Sequence, residues 1–259
     1  MINNENIVET DTIEPNQIIK EVGSYKVIEY EKTNIYIIEN ILDLSFCNDI
    51  IELIDRINLR KNFYSSGNNV KCYIKNIDEL LKLSEESYYE FSTNLHDYEK
   101  LMTLEKVSTN KMNGLKLKDI EIYLEQINKV MQNIENVMKE INNKIVFETN
   151  SGYCLRKIYG KTRNHIDNIS EVYNSGITFI KNNKMGDYKM VRNASIIFTL
   201  NDNYQGGEFK FTYHDIKVKL KKGSVIIFPP FWTHPHETED LINNTYRYTI
   251  NTWSCQKIN

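Results

Sequence analysis

His165-Ile166-Asp167 falls in a stretch that reads as extended chain. Side chains alternate along a strand, so His165 and Asp167 point to one face. An imidazole nitrogen and a carboxylate oxygen on one face can grip one metal ion. A further imidazole stands 71 residues downstream at His236, with His234 beside it. Two histidines and one carboxylate occupy one face of an octahedron. The remaining positions stay open for exogenous ligands, the arrangement suited to non-haem Fe(II). Arg247 follows 11 residues after His236. A guanidinium there could hold a dicarboxylate through a bidentate pair.

A His-x-Asp pair alone is weak evidence. Its surroundings are more specific. Arg192-Asn193-Ala194-Ser195 opens a run to Asp202, and Gly206-Gly207-Glu208-Phe209 follows. Then come Gly223 to Pro229, His236, and Arg247-Tyr248-Thr249. In this order the pieces resemble the 2-oxoglutarate/Fe(II)-dependent dioxygenases, in particular the prolyl 4-hydroxylase-like branch. The resemblance covers residues 153–254 well and 34–60 loosely.

The resemblance implies Fe(II) held by His165, Asp167 and His236, with 2-oxoglutarate and O2 in the open positions. It implies release of succinate and CO2 and hydroxylation of an unactivated C–H. Ascorbate is a further candidate cofactor. Arg247 is expected to bind the distal carboxylate of 2-oxoglutarate. Thr249, two along the same strand, can add a hydrogen bond or serve simply as a strand former. Tyr159 resembles the tyrosine that hydrogen-bonds the co-substrate in prolyl hydroxylases. Its gap of six to His165 is short for the family, and Thr162 stands where a tyrosine three before His165 is usual.

Strand parity does not choose between His234 and His236. The spacing to Arg247 is 11 from His236 and 13 from His234. The first is nearer the family interval of about ten. The pattern Phe-Pro-x-x-Trp-x-x-x-His also favours His236. Trp253 is a candidate for the substrate side of the mouth or for the core. Lys161-Thr162-Arg163 could meet an acidic substrate but reads better as a solvated loop. His96 and His214 carry no pattern.

These residues need elements to hold them. Residues 1–24 are polar and acidic and read as a flexible lead-in. Residues 25–259 are expected to form a single domain, with helical support at 40–145 and a strand-rich core at about 146–256. Strands are predicted at 25–30 and 35–38, and a helix opens at Asp43-Leu44-Ser45 with Ser45 as cap. Residues 63–76 read as loop, and 77–83 and 85–98 as helical. The clearest helix spans 119–142, with one apolar stripe from Ile120 to Ile141 that suits a core face. After Ile145 the period changes to two. Strands are predicted at 153–159, 176–181, 189–200, 207–213, 216–220, 224–228 and 246–253, with a hairpin turn at Tyr213-His214-Asp215. The fold class expected is α+β: a double-stranded β-helix (jelly roll) with N-terminal helices packed against one sheet.

Composition sets outer bounds. At 259 residues with 41% hydrophobic content, the chain can bury one large core. A net charge of −3 gives no global field for nucleic acid. Four widely spaced cysteines (Cys47, Cys72, Cys154, Cys255) form no CxxC pair and suit a reducing compartment. No basic-apolar leader and no membrane-length apolar run occurs, so a cytoplasmic protein is expected. The expected function is an enzyme that hydroxylates a prolyl or similar side chain in a peptide or protein. Alternatives are a dioxygenase of a free amino acid, small metabolite or nucleobase, and a jelly roll that only binds a ligand. Oligomeric state is left open.

Overall fold

The computed structural model describes residues 16–56, 60–65, 68–73, 88–94, 117–167, 173–174, 179–181, 184–186 and 189–258. In chain order the first elements are β1 (Gln17–Val22), β2 (Tyr25–Tyr30), β3 (Ile35–Glu39) and α1 (Leu44–Arg56). Next come β4 (Arg60–Ser65), β5 (Asn68–Tyr73), β6 (Tyr88–Asn94) and α2 (Leu117–Ile141). The second half holds β7 (Thr149–Asn150), β8 (Cys154–Tyr159), β9 (Thr162–His165), β10 (Tyr173–Asn174), β11 (Phe179–Lys181) and β12 (Lys184–Gly186). It continues with β13 (Lys189–Thr199), β14 (Gln205–Gly206), β15 (Phe209–Phe211), β16 (Ile216–Val218), β17 (Val225–Phe228), β18 (His236–Thr238), β19 (Leu241–Ile242) and β20 (Arg247–Ile258).

A major antiparallel sheet runs β1-β2-β3-β17-β13-β20-β8-β6-β4-β5. A minor sheet runs β16-β15-β18-β9. Two such sheets face to face, with crossing connections, make the jelly roll that the sequence pattern predicts. β13 explains why the layers form. Ala194, Ile196 and Phe198 face one way and join a core with α1 and α2, through Ile50, Leu53, Ile127 and Ile134. Ser195, Ile197 and Thr199 alternate to the other face. There Ile197 packs with Phe209, Phe211 and Ile216 of the minor sheet. Both faces of the strand are therefore covered.

The long helix falls at Leu117–Ile141, and its stripe is a core face. Leu124, Ile127, Ile134, Val137 and Met138 are buried, with Tyr123, Val130, Met131 and Ile141 packed around them. Ile134 has no exposed surface. Replacing it by alanine should cost about 2–5 kcal/mol through lost burial and the cavity left. A denaturant titration reads this as a lower midpoint, and an unchanged midpoint would remove α2 from the core. Among the described residues no helix is long and apolar enough to cross a membrane.

Several expectations need correction. The lead-in is partly ordered: Gln17–Val22 forms β1 and pairs with β2. Gly23 at φ +60 turns the chain, as the first central position of a two-residue hairpin favours. The helix predicted to be capped by Ser45 starts one residue earlier, at Leu44, and the Asp43 carbonyl accepts from the Cys47 N–H. Segment 40–145 is not only helical support. The loop expected at 63–76 contains β5 and the end of β4, and the helix expected at 85–98 contains β6. These strands extend the major sheet beyond β8, and their cross-strand partners, not their local composition, decide their state. The helix expected at 77–83 lies outside the described residues.

Candidate active site

The minor sheet brings the two histidines together. His165 ends β9, His236 begins β18, and the two are register partners. Their ring centroids are 4.4 Å apart. Asp167 lies just past β9 and turns Oδ1 toward both rings. His165 Nε2 is 3.4 Å from that oxygen, and His236 Nε2 is 3.7 Å from it. One donor atom from each residue lies within 4.8 Å of the others.

The rest of each side chain is held from behind. His165 Nδ1 is 2.7 Å from the Arg163 carbonyl, and His236 Nδ1 is 3.0 Å from the His234 carbonyl. A carbonyl accepts only, so each Nδ1 carries the hydrogen, and each Nε2 lone pair points inward. The Ser195 hydroxyl donates to Asp167 Oδ2 at 2.6 Å, and the Arg192 guanidinium donates to the Asp167 carbonyl. Phe209 stacks on the His236 ring at 5.1 Å, and Phe228 meets it edge-on at 4.8 Å.

Charge follows from this geometry. Burial opposes ionisation of Asp167, yet the His165 hydrogen bond, the His236 and His165 charges and the Ser195 hydroxyl hold its carboxyl far below the usual range. Burial pushes His236 down to about 4, leaving it neutral near pH 7. Burial also works against the charged form of His165, but only in that form does Nε2–H donate to Asp167, and this raises its pKa; the neutral ring keeps its inward lone pair. A carboxylate and two inward imidazole lone pairs, all backed by second partners, fit a divalent cation of mixed nitrogen and oxygen preference.

A cavity of about 230 Å³ opens beside this cluster. It is lined by Arg156, Ile158, Thr162, Asn251, Thr249 and Arg247, besides the cluster and Phe209. Arg247 is 7% exposed and donates from Nη1 to the Gly207 carbonyl at 2.9 Å. That carbonyl is set by Gly206 and Gly207, both at φ +69. A Cβ on Gly206 would sit 2.1 Å from the Asp240 carbonyl oxygen, so only glycine passes there. Thr249 is buried and donates to Asn251 Oδ1 at 2.7 Å.

Six residues were expected at the site, and the structure brings five to this pocket: His165, Asp167, His236, Arg247 and Thr249. Tyr159 is not among them. Its neighbours Arg156 and Ile158 face the cavity, so strand alternation turns Tyr159 outward. There it packs on Tyr246 at 5.6 Å and its hydroxyl donates to Asn244 Oδ1 at 3.4 Å. Tyr159 thus does not line the cavity. His234 is turned from the cluster, with Nε2 2.6 Å from the Thr33 carbonyl. His234 lies beside His214, ring centroids 4.6 Å apart. Trp253 lies under the Arg192 guanidinium, 3.8 Å from carbon to ring centroid.

Sequence reasoning missed Ser195, Arg156 and Asn251. The signal for Ser195 was its place in the alternating run 194–200, where a polar residue occupies an inward position. Arg156 and Asn251 needed the register of β8 on β20, which no local pattern carries.

Residues 154–255 match a family model described as the 2OG-Fe(II) oxygenase superfamily. No curated protein matches the sequence. Among solved structures, one similar fold is a prolyl hydroxylase from Trichoplax adhaerens in complex with a hypoxia inducible factor oxygen degradation domain peptide fragment. It has a TM-score of 0.52 at 13% identity, over 86% of this chain and 83% of that one. Another is the viral collagen prolyl hydroxylase of Paramecium Bursaria Chlorella virus-1 in its 2OG complex, with a TM-score of 0.47 at 14% identity, over 88% and 98%. The matched span runs from β8 to β20 and contains every residue of the cluster and pocket described above. Residues 154–255 thus form a 2OG-Fe(II) oxygenase domain, and the protein is an enzyme, a dioxygenase that works with Fe(II), 2-oxoglutarate and O2.

Proposed function

We propose that the enzyme hydroxylates an unactivated C–H in a peptide or protein, most readily on a prolyl or similar side chain, and releases succinate and CO2. The observation that carries this is the His165/Asp167/His236 cluster opening on a cavity with Arg247 behind it. The peptide-bound prolyl hydroxylase of similar fold supports the substrate class.

In this reading His165, Asp167 and His236 are the iron ligands. Three protein donors leave room for 2-oxoglutarate and O2. Bound Fe(II) with these two supplies an oxidant for the C–H bond; one oxygen atom enters the alcohol and the other enters succinate. The protein's own residues position the reactants. Arg247 binds the distal carboxylate of 2-oxoglutarate, and Thr249 joins it by turning its hydroxyl from Asn251. Ile158, Ile197 and Phe209 give the cavity apolar walls, which limit water beside the metal. Ser195 and Arg192 fix Asp167, so its carboxylate keeps one oxygen for the metal.

The test is mass spectrometry of proline-containing peptides after incubation with the enzyme. The expected product gains one oxygen atom, and the gain requires both Fe(II) and 2-oxoglutarate. Succinate release with no peptide modified, in a reaction stimulated by small metabolites, would move the substrate to that class.

Arg247→Ala should act on the co-substrate and not on the metal. A charge-assisted hydrogen bond to a carboxylate is worth about 1.5–3 kcal/mol, or roughly tenfold to a few hundredfold in affinity. The KM for 2-oxoglutarate should rise by that factor while Fe(II) affinity stays. An unchanged KM rejects the role.

A further inference from the structure

Arg156 was not anticipated from the sequence, and it faces the pocket. Its depth follows from strand register. β8 pairs antiparallel with β20, setting Ile158 opposite Arg247, Arg156 opposite Thr249 and Cys154 opposite Asn251. On its other side β20 pairs with β13, setting Asn251 opposite Ile197 and Trp253 opposite Ser195. Ser195 is the residue that binds the Asp167 carboxylate. Position along β20 thus measures depth. The Asp167 partner lies at the level of Trp253, Arg156 at the level of Thr249, and Arg247 two residues deeper. Two residues of antiparallel strand span about 7 Å. Arg156 is rooted nearer the His165/Asp167/His236 cluster than Arg247 is, by about that length.

Tyr204, Gly207, Leu220, Thr249 and Arg247 line a deeper recess that Arg156 does not line. Two guanidiniums therefore address one cavity from two depths. A linear dicarboxylate presents one anion at each end.

We propose that Arg156 is a second anion-binding residue of this pocket, holding the 2-oxo-acid carboxylate near the metal cluster while Arg247 holds the distal one. The inference rests on reading the cavity as the 2-oxoglutarate site. With a cation for each end, the co-substrate is held at full length along the cavity. Its affinity also acquires a part that does not depend on the metal.

The test is equilibrium calorimetry on the full chain, metal-free and loaded with Zn(II), which supports no turnover. Three ligands separate the two ends. 2-Oxoglutarate carries both carboxylates, 2-oxobutyrate lacks the distal one, and 4-oxopentanoate lacks the one beside the keto group. Arg156→Gln should weaken 2-oxoglutarate and 2-oxobutyrate by about tenfold or more, and leave 4-oxopentanoate unchanged. Arg247→Gln should do the reverse with the two truncated ligands. Arg156→Lys, which keeps the charge, should recover part of the loss. The inference is overturned if Arg156→Gln spares 2-oxobutyrate or weakens all three ligands alike. If 2-oxoglutarate binding falls with Arg247→Gln but not with Arg156→Gln, this inference alone fails. If the unaltered protein binds no 2-oxoglutarate, the reading of the pocket fails with it.

Discussion

Asp167→Ala should abolish turnover and remove Fe(II) binding. Asp167 is the sole anion of the three proposed ligands, and its Oδ1 lies within 3.7 Å of both imidazole Nε2 atoms. Without it, a dication would sit between two neutral rings in a largely buried cluster. An uncompensated charge in such surroundings costs several kcal/mol. Weakening only a group behind a ligand typically costs about 10- to 100-fold in metal affinity. Ser195→Ala, which removes the bond to Oδ2, should fall in that range. Removal of Asp167 itself should exceed it. Asp167→Asn keeps the shape and a partner for Ser195 while removing the charge, so it separates a folding defect from a binding defect. Both Asp167 variants should melt cooperatively yet bind no Fe(II) in anaerobic titration. Ordinary succinate release from either would place the iron elsewhere.

How far such a site can be read from sequence depends on what fixes each residue's direction. His165 and Asp167 were legible because two positions of one short segment share a face whatever the segment pairs with. Ser195 was legible in principle, because Ala194, Ile196 and Phe198 already claim the opposite face of a buried strand. Tyr159 shows the limit. Its direction is set by the register of β8 on β6 and β20, and a slip of one residue exchanges the two faces. The resemblance placed Tyr159 inside, but that register turns Arg156 and Ile158 inward. β6 fails for a related reason. Tyr88–Asn94 holds a strand because β4 and β8 flank it, and neither neighbour is local in sequence. The jelly roll as a class was easier, since alternation repeated over many short segments survives errors in any one of them. The Gly206-Gly207 pair was visible as a motif, but its purpose was not. It sets the carbonyl that receives Arg247, across 40 residues of chain.

The second large effect separates His236 from His234. His236→Ala should lose Fe(II) and succinate formation, while His234→Ala should keep both and lose stability instead. The two lie two residues apart and both are buried, at 3% and 5% exposure, so burial does not distinguish them. Their partners do. His236 turns Nε2 toward Asp167 and pairs in register with His165. His234 places Nε2 2.6 Å from the Thr33 carbonyl and Nδ1 2.8 Å from the Thr233 hydroxyl. Both its nitrogens are thus engaged away from the cluster, and its ring meets Phe211 edge-on at 6.4 Å. It ties the turn between β2 and β3 to the loop that leads into β18. Removing it strands a buried carbonyl, at a cost of about 1–3 kcal/mol. The His236 backbone would stay paired to β15 and β9, so iron binding should survive in folded His234→Ala protein. Paired measurements decide the matter: anaerobic Fe(II) titration for each variant, and a thermal melt of each in metal-free form. Metal retained by His236→Ala and lost by folded His234→Ala would reverse the assignment of the third ligand.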